Sequence, residues 1–212
     1  ESGQKEAETM GLCFSNIQIR RTENEPDFAQ IAAVLTEGRD LSAVDNEEEA
    51  DIMLSVFTMS DSPWITVCSD LIDGDFGELG AKARRLSETL QTQTLALACL
   101  DSDYFCMNLI DAANGADLWA ANGRMTEGKA PRRSSLAPWK RYVSDIEAFK
   151  RTMRGKYVFA EACLDGLEPL LSLPVLQGEA GGDELPEDAE IHRFYYVLNR
   201  RENEKVPPRF NY

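Results

Sequence analysis

The stretch from Pro63 to Arg124 constrains the fold more than any other part of the chain. A tryptophan-led apolar run, Trp64-Ile65-Thr66-Val67-Cys68, is followed by an acidic glycine turn at Asp70-Leu71-Ile72-Asp73-Gly74-Asp75. Phe76, Leu79, Ala83, Leu86 and Leu90 then recur at helical spacing and form one apolar stripe, which predicts an amphipathic helix. Leu95–Leu100 and Tyr104–Ile110 read as strands separated by Asp101-Ser102-Asp103, and Asn114-Gly115 predicts a tight hairpin into Ala116–Ala121. Apolar runs of this length, punctuated by turns and one amphipathic helix, pack as a sheet against a helix.

The chain before this stretch supplies the rest of that pattern. Leu12–Arg20 reads as a first strand. Asp27 stands where a helix N-cap belongs, Phe28, Ile31, Ala32 and Leu35 share a face, and Gly38 is a stop. The acidic stretch 40–50 is expected to be a loop or exposed helical turn, and Ile52–Phe57 a strand. The order strand, helix, strand, strand, helix, strand predicts an α+β fold: an antiparallel sheet with a ferredoxin-like (split βαβ) core and both helices on one face, extended by a hairpin.

Beyond the basic loop at 123–135, Pro138 opens a predicted helix whose stripe is Trp139, Tyr142, Val143, Ile146, Phe149 and Met153. A second helical stretch, Val158–Leu173, is expected to kink or restart near Gly166 and Pro169. Residues 177–188 read as a loop and Ile191–Leu198 as a last strand. The organisation expected is a tail at 1–11, a sheet domain at 12–124, helices and a last strand at 125–200 packed on the same core, and a tail at 201–212.

Composition narrows the chemistry. The longest apolar run, Leu95–Leu100, is far short of the ~20 residues that span a bilayer, and Glu1–Thr9 carries no secretory pattern. Met10-Gly11-Leu12-Cys13-Phe14-Ser15 has the form of an N-myristoylation site if Met10 initiates the chain; the competing reading is the start of the first strand. Five cysteines without C-x-x-C spacing read as free thiols in a reducing compartment, hence cytoplasmic. A Ser-His-Asp or Cys-His mechanism would have to use His192, the single histidine.

Charge is distributed unevenly. From Arg124 to Lys156 ten basic residues face three acidic ones, a local +7, leaving −22 elsewhere in a chain of formal net charge −15. Such asymmetry either marks a partner surface or is neutralised within the fold, and nucleic acid is disfavoured because an acidic protein repels a polyanion. Asp45, Glu47, Glu48, Glu49 and Asp51 form the acidic run that would face a basic protein. Arg132, Arg133, Lys140 and Arg141 are candidate anion ligands, with Trp139 as a stacking surface. Asp70, Asp73 and Asp75 can be read as hard oxygen ligands for a divalent cation or as a helix-capping turn. Asp101 and Asp103 can be read as an acid–base pair or as a solvated turn. No cofactor is expected.

The series Trp64-Ile65-Thr66-Val67-Cys68-Ser69-Asp70 and Leu86-Ser87-Glu88-Thr89-Leu90, leading into Leu95–Asp103, resembles a pattern in uncharacterised bacterial α+β proteins, some of them immunity-like partners of secreted toxins. It covers about a third of the chain, rests on structural residues and assigns no catalytic position. The resemblance implies an α+β fold and leans toward an immunity-like role; together with the −22 outside the basic segment and the scarcity of catalytic residue types, the expectation is a non-catalytic binding protein, of the immunity or adaptor kind, that covers a basic partner with its acidic surface. The competing expectation is a carboxylate-dependent, divalent-metal hydrolase.

Overall fold

The computed structural model describes residues 13–23, 26–72, 75–125, 135–174 and 189–199. Its centre is one eight-stranded sheet in which every neighbouring pair is antiparallel. In chain order the elements are β1 (Phe14–Arg20), α1 (Phe28–Thr36), β2 (Leu41–Val44), β3 (Ile52–Thr58), β4 (Trp64–Ser69), α2 (Phe76–Leu90), β5 (Gln93–Leu100), β6 (Tyr104–Asp111), β7 (Ala116–Gly123), α3 (Ile146–Arg154), α4 (Leu164–Leu171) and β8 (Glu190–Leu198). Short 3₁₀ turns lie at Ala112–Asn114, Ala137–Arg141 and Ala160–Cys163. The spatial strand order is β2-β8-β3-β4-β1-β5-β6-β7.

Both faces of the sheet are covered, giving three layers and an α+β architecture. On one face Ile17, Ile19, Leu54, Val56, Ile65 and Val67 meet Ile31 and Leu35 of α1 and Leu79, Ala83 and Leu86 of α2. On the other, Leu95, Leu97, Phe105, Met107, Leu109 and Leu118 meet Trp139, Phe149, Met153, Leu164, Leu167 and Leu171. All eight residues of β6 are therefore buried. Double burial is why β4, β5 and β6 read as continuous apolar runs and not as an alternation.

Helix starts follow side-chain chemistry. Asp27 accepts from Ala29 N at 3.1 Å and Asp75 from Glu78 N at 3.0 Å, so each carboxylate satisfies an N–H that the first helical turn leaves without a partner. The predicted helix over 138–153 is instead two elements. Asp145 adopts an extended conformation and accepts from both Glu147 N and Ala148 N, ending the 3₁₀ turn's segment and starting α3 afresh. Trp139 and Phe149 still share one cluster, stacked 4.9 Å apart at 27°.

Two further expectations are corrected. The stretch 40–50 contains β2, because the backbone of Leu41–Val44 pairs with Tyr195–Leu198 from the far end of the chain. The Asn114-Gly115 connection is wider than a two-residue hairpin: Asp111 pairs with Ala116 across residues 112–115, only Gly115 takes positive φ (64°), and the Asp111 carboxylate accepts from Asn114 N and Nδ2. The expected strand Ile191–Leu198 is present as β8, inserted between β2 and β3.

Candidate functional site

The turn joining β5 to β6 carries the only consecutive pair of non-glycine residues with positive φ among the described residues, Asp101 (50°) and Ser102 (53°). Asp103 N donates to Leu100 O at 3.1 Å and closes a mirror-image turn, the kind whose twist suits a hairpin but which favours Asn-Gly. Placing two L side chains there costs about 1–2 kcal/mol each in a left-handed conformation, less for Asp. The turn is held from the second face of the sheet. Ala160 N donates to Ser102 O at 2.6 Å, and Ser102 Oγ donates to Glu161 Oε1 at 2.8 Å. Strain persists only where neighbours over-determine it, and such places cluster at functional positions.

Beside this turn lies an open cleft of about 570 Å³ bordered by Asp103, Gly123, Arg124, Lys156, Tyr157 and Val158. Gly123, with φ of 86°, closes on the turn so tightly that a Cβ there would sit 2.0 Å from Asp103 O. Arg124 N in turn donates to that same oxygen at 2.9 Å. Asn122 ties the cleft floor to α3's end, its amide donating to Met153 O and Gly155 O. The lip is apolar and uncovered: Tyr157 and Val158, which border the cleft, are 36% and 89% exposed, and Phe159, next in the chain, is 58% exposed.

The carboxylates singled out by sequence fall into separate places. Asp70 Oδ2 accepts from Met53 N at 3.1 Å, strutting the end of β4 against the start of β3, while Asp75 caps α2. Asp73 lies outside the described residues. Among the described residues no three His, Cys, Asp or Glu side chains come together as a metal site does. Asp101 and Asp103 are both exposed, and Asp103 alone of the two borders the cleft.

The basic segment is only partly assembled. Arg132 and Arg133 lie outside the described residues, as do Met10 and Gly11 of the myristoylation pattern and the loop at 177–188. Lys140 and Arg141 are exposed, but Trp139 is fully buried against Phe149 and offers no ring face to a ligand. The acidic run is exposed at Asp45, Glu47, Glu48 and Glu49 in the β2–β3 connection, where Asn46 accepts from Glu49 N at 3.0 Å and shapes the turn. None of these four carboxylates makes an ion pair among the described residues; Asp51 instead accepts from Leu198 N at 3.1 Å.

Nucleophile chemistry finds little support in the thiols. Burial pushes Cys99, Cys106 and Cys163 up to about 12, with the Glu161 carboxylate adding to the effect at Cys99. All five cysteines are free, and only Cys13 is exposed. His192 projects from β8, edge-on to Phe28 and 3.4 Å from Glu190.

Sequence reasoning overlooked a buried polar row on the second face of the sheet. Gln18 Nε2 donates to Asn16 Oδ1 at 2.9 Å and Thr66 Oγ1 to Gln18 Oε1 at 2.8 Å, while the neighbouring Ser55 Oγ is buried without a hydrogen-bond partner among the described residues. The alternation of Asn16 and Gln18 with Ile17 and Ile19 was the available signal.

No helix among the described residues is long and apolar enough to cross a membrane. No family model matches the chain, and neither a curated protein nor a solved structure matches it significantly.

Proposed function

We propose that this chain is a non-catalytic protein-binding module, an immunity or adaptor protein that covers a basic partner with its acidic surface. The observation that carries the reading is the β2–β3 connection, where Asp45, Glu47, Glu48 and Glu49 are exposed and without a cation among the described residues. A like-charged cluster left solvated destabilises the fold slightly and steers an oppositely charged partner, raising association rates by orders of magnitude at low salt. The segregation of charge supports this: the described ion pairs are local or join α2 to β7 or to the end of α1, and none spends a basic residue of 124–156 on the acidic turn.

Within the α+β architecture we read a ferredoxin-like core. The support is the central order β3-β4-β1-β5, in which β1-α1-β3 and β4-α2-β5 interleave as two crossover units with both helices on one face. The resemblance to immunity-like bacterial proteins supports a partner-binding role, the exposed acidic turn supports a basic partner, and the buried free thiols support a reducing, cytoplasmic setting.

Affinity capture from host extract at about 50 mM and about 500 mM salt tests the reading, since this range takes the Debye length from about 14 Å to about 4 Å. A stoichiometric basic protein is expected, lost at high salt and lost again when Asp45, Glu47, Glu48 and Glu49 are all changed to Lys. Capture that ignores both changes overturns it. The second reading, a carboxylate-dependent hydrolase, draws on the exposed Asp103 at the cleft. Thermal stabilisation by magnesium, manganese or calcium, abolished by Asp103→Asn, would favour that reading instead.

A further inference from the structure

We infer that the cleft beside the β5–β6 turn is a second docking surface, built for a short acidic and apolar segment of a partner protein. Three observations converge there. The first is shape: a cleft of about 570 Å³ lies within the roughly 300–1,000 Å³ usual for binding sites, and its floor is fixed by Asn122 and by the strained turn. The second is the lip. Three of the five exposed large hydrophobic side chains among the described residues are consecutive, Tyr157, Val158 and Phe159, and Val158 is almost wholly in water. Single exposed hydrophobics are ordinary, whereas a contiguous run beside a cleft marks a contact surface.

The third is charge. Arg124 and Lys156 border the cleft and Arg154 lies two residues before Lys156. In a chain with 37 acidic residues, these three cations make no ion pair among the described residues. An acidic segment gives them partners, and its apolar side chains cover Val158 and Phe159. Asp103, the one carboxylate bordering the cleft, sets a limit: the segment's acidic groups must sit toward Arg124 and Lys156. An anionic membrane fits less well, because the surface is concave, Asp101 and Asp103 stand at the same end, and the chain's net −15 opposes approach. This surface is of opposite sign to the acidic β2–β3 turn, so the two are separable by mutation.

The test is to pan a displayed library of random short peptides on the immobilised full chain. Enriched sequences are expected to combine Asp or Glu with Leu, Ile, Phe or Trp. Their affinity should fall at least roughly tenfold on Val158→Asp or Phe159→Asp, and severalfold on Lys156→Glu or with rising salt, amounting to about 1.4 kcal/mol per decade. Because both lip side chains are exposed, the variants should melt within a degree or two of the parent, a control for folding. Charge reversal in the β2–β3 turn is a further control: Glu48→Lys should leave peptide affinity unchanged even where it abolishes capture of a basic protein. Enrichment of basic or purely polar peptides, no enrichment, or binding indifferent to these variants overturns the inference. So does comparable binding of the parent, lost in Val158→Asp, to phosphatidylserine-containing vesicles.

Discussion

Replacing Gly123 by Ala isolates the contact that holds the β5–β6 turn. At φ of 86° any L residue is strained, and the new methyl would stand 2.0 Å from Asp103 O, 2.9 Å from its carbonyl carbon and 3.1 Å from Ala160 Cβ. The nearest neighbour is backbone, so no side-chain rotation relieves the overlap. The Asp103 carbonyl must retreat, giving up the 2.9 Å bond from Arg124 N, and the turn must shift against the 2.6 Å bond from Ala160 N to Ser102 O. A left-handed alanine costs about 1–2 kcal/mol and each lost hydrogen bond about 1 kcal/mol, for a total of roughly 3–4 kcal/mol. At about 2–4 °C per kcal/mol for a chain of this size, Tm should fall by roughly 10 °C. Gly38→Ala is the matched control. Its φ is 76° but nothing lies within 4 Å of the added Cβ, so only the same conformational cost of about 1–2 kcal/mol remains, a loss of roughly 3–6 °C. Thermal unfolding followed by circular dichroism in one buffer gives both numbers. A Gly123→Ala melt within about 2 °C of the Gly38→Ala melt would refute the close approach on which the geometry of the cleft depends.

Asp101→Gly should raise stability by about 0.5–1 kcal/mol, read from the urea midpoint, because it removes a non-glycine residue from φ of 50° while keeping the backbone N–H; a lowered midpoint would mean the turn is not strained. Asp145 accepts from Ala148 N and Glu147 N, and these bonds hold its carboxyl below the usual carboxylate range. Its folded pKa is depressed, so the stabilisation is present above the unfolded value of about 3.9 and is lost as pH falls through the folded one. Asp145→Asn should keep the cap and flatten that part of the acid limb of a pH–Tm profile, and an unchanged limb would count against the cap. A thiol reagent at neutral pH should label Cys13 quickly and Cys99, Cys106 and Cys163 only on unfolding, since burial both covers them and holds them near 12. Labelling of Cys99 in the native chain, found by peptide mass mapping, would contradict the packing of Glu161 over it.

The legible parts of the fold were those decided locally. Asp27 and Asp75 announced their helices because a carboxylate at the N-cap needs no distant partner, and the stripe from Phe76 to Leu90 follows from helical period alone. What could not be read depends on residues far apart in sequence. β2 is a strand only because Tyr195–Leu198 return to it, and its exposed Ser42 and Ala43 look like loop. Asp145 hid a helix break inside a continuous apolar stripe, since Trp139 and Phe149 belong to the same cluster whichever way the chain reaches them. For the site, Asp103 and the basic segment were visible as residue types, whereas the cleft was not. It is assembled from the β5–β6 turn, the end of β7 and the stretch after α3, and the strain at Ser102 has no sequence mark because serine is a usual turn residue at negative φ.

The charge map and the strained turn lead to one structural argument about how such a chain can serve two partners. The acidic β2–β3 connection hangs from β2, a four-residue edge strand, at one side of the sheet; the cleft lies at the β5–β6 turn and the end of β7 at the other. Between them stand β8, β3, β4 and β1; β8 is only half-buried, but most side chains of the other three are buried on both faces, in packing too dense to deform gradually. A partner seated at one edge therefore has no soft path through which to remodel the other, and the two surfaces should bind independently. In a double-mutant comparison, Glu48→Lys and Val158→Asp should change their respective affinities additively, within about 0.5 kcal/mol. A coupling larger than that would require a segment bridging both edges, and would transfer the functional argument from two surfaces on a rigid sheet to one surface that changes shape.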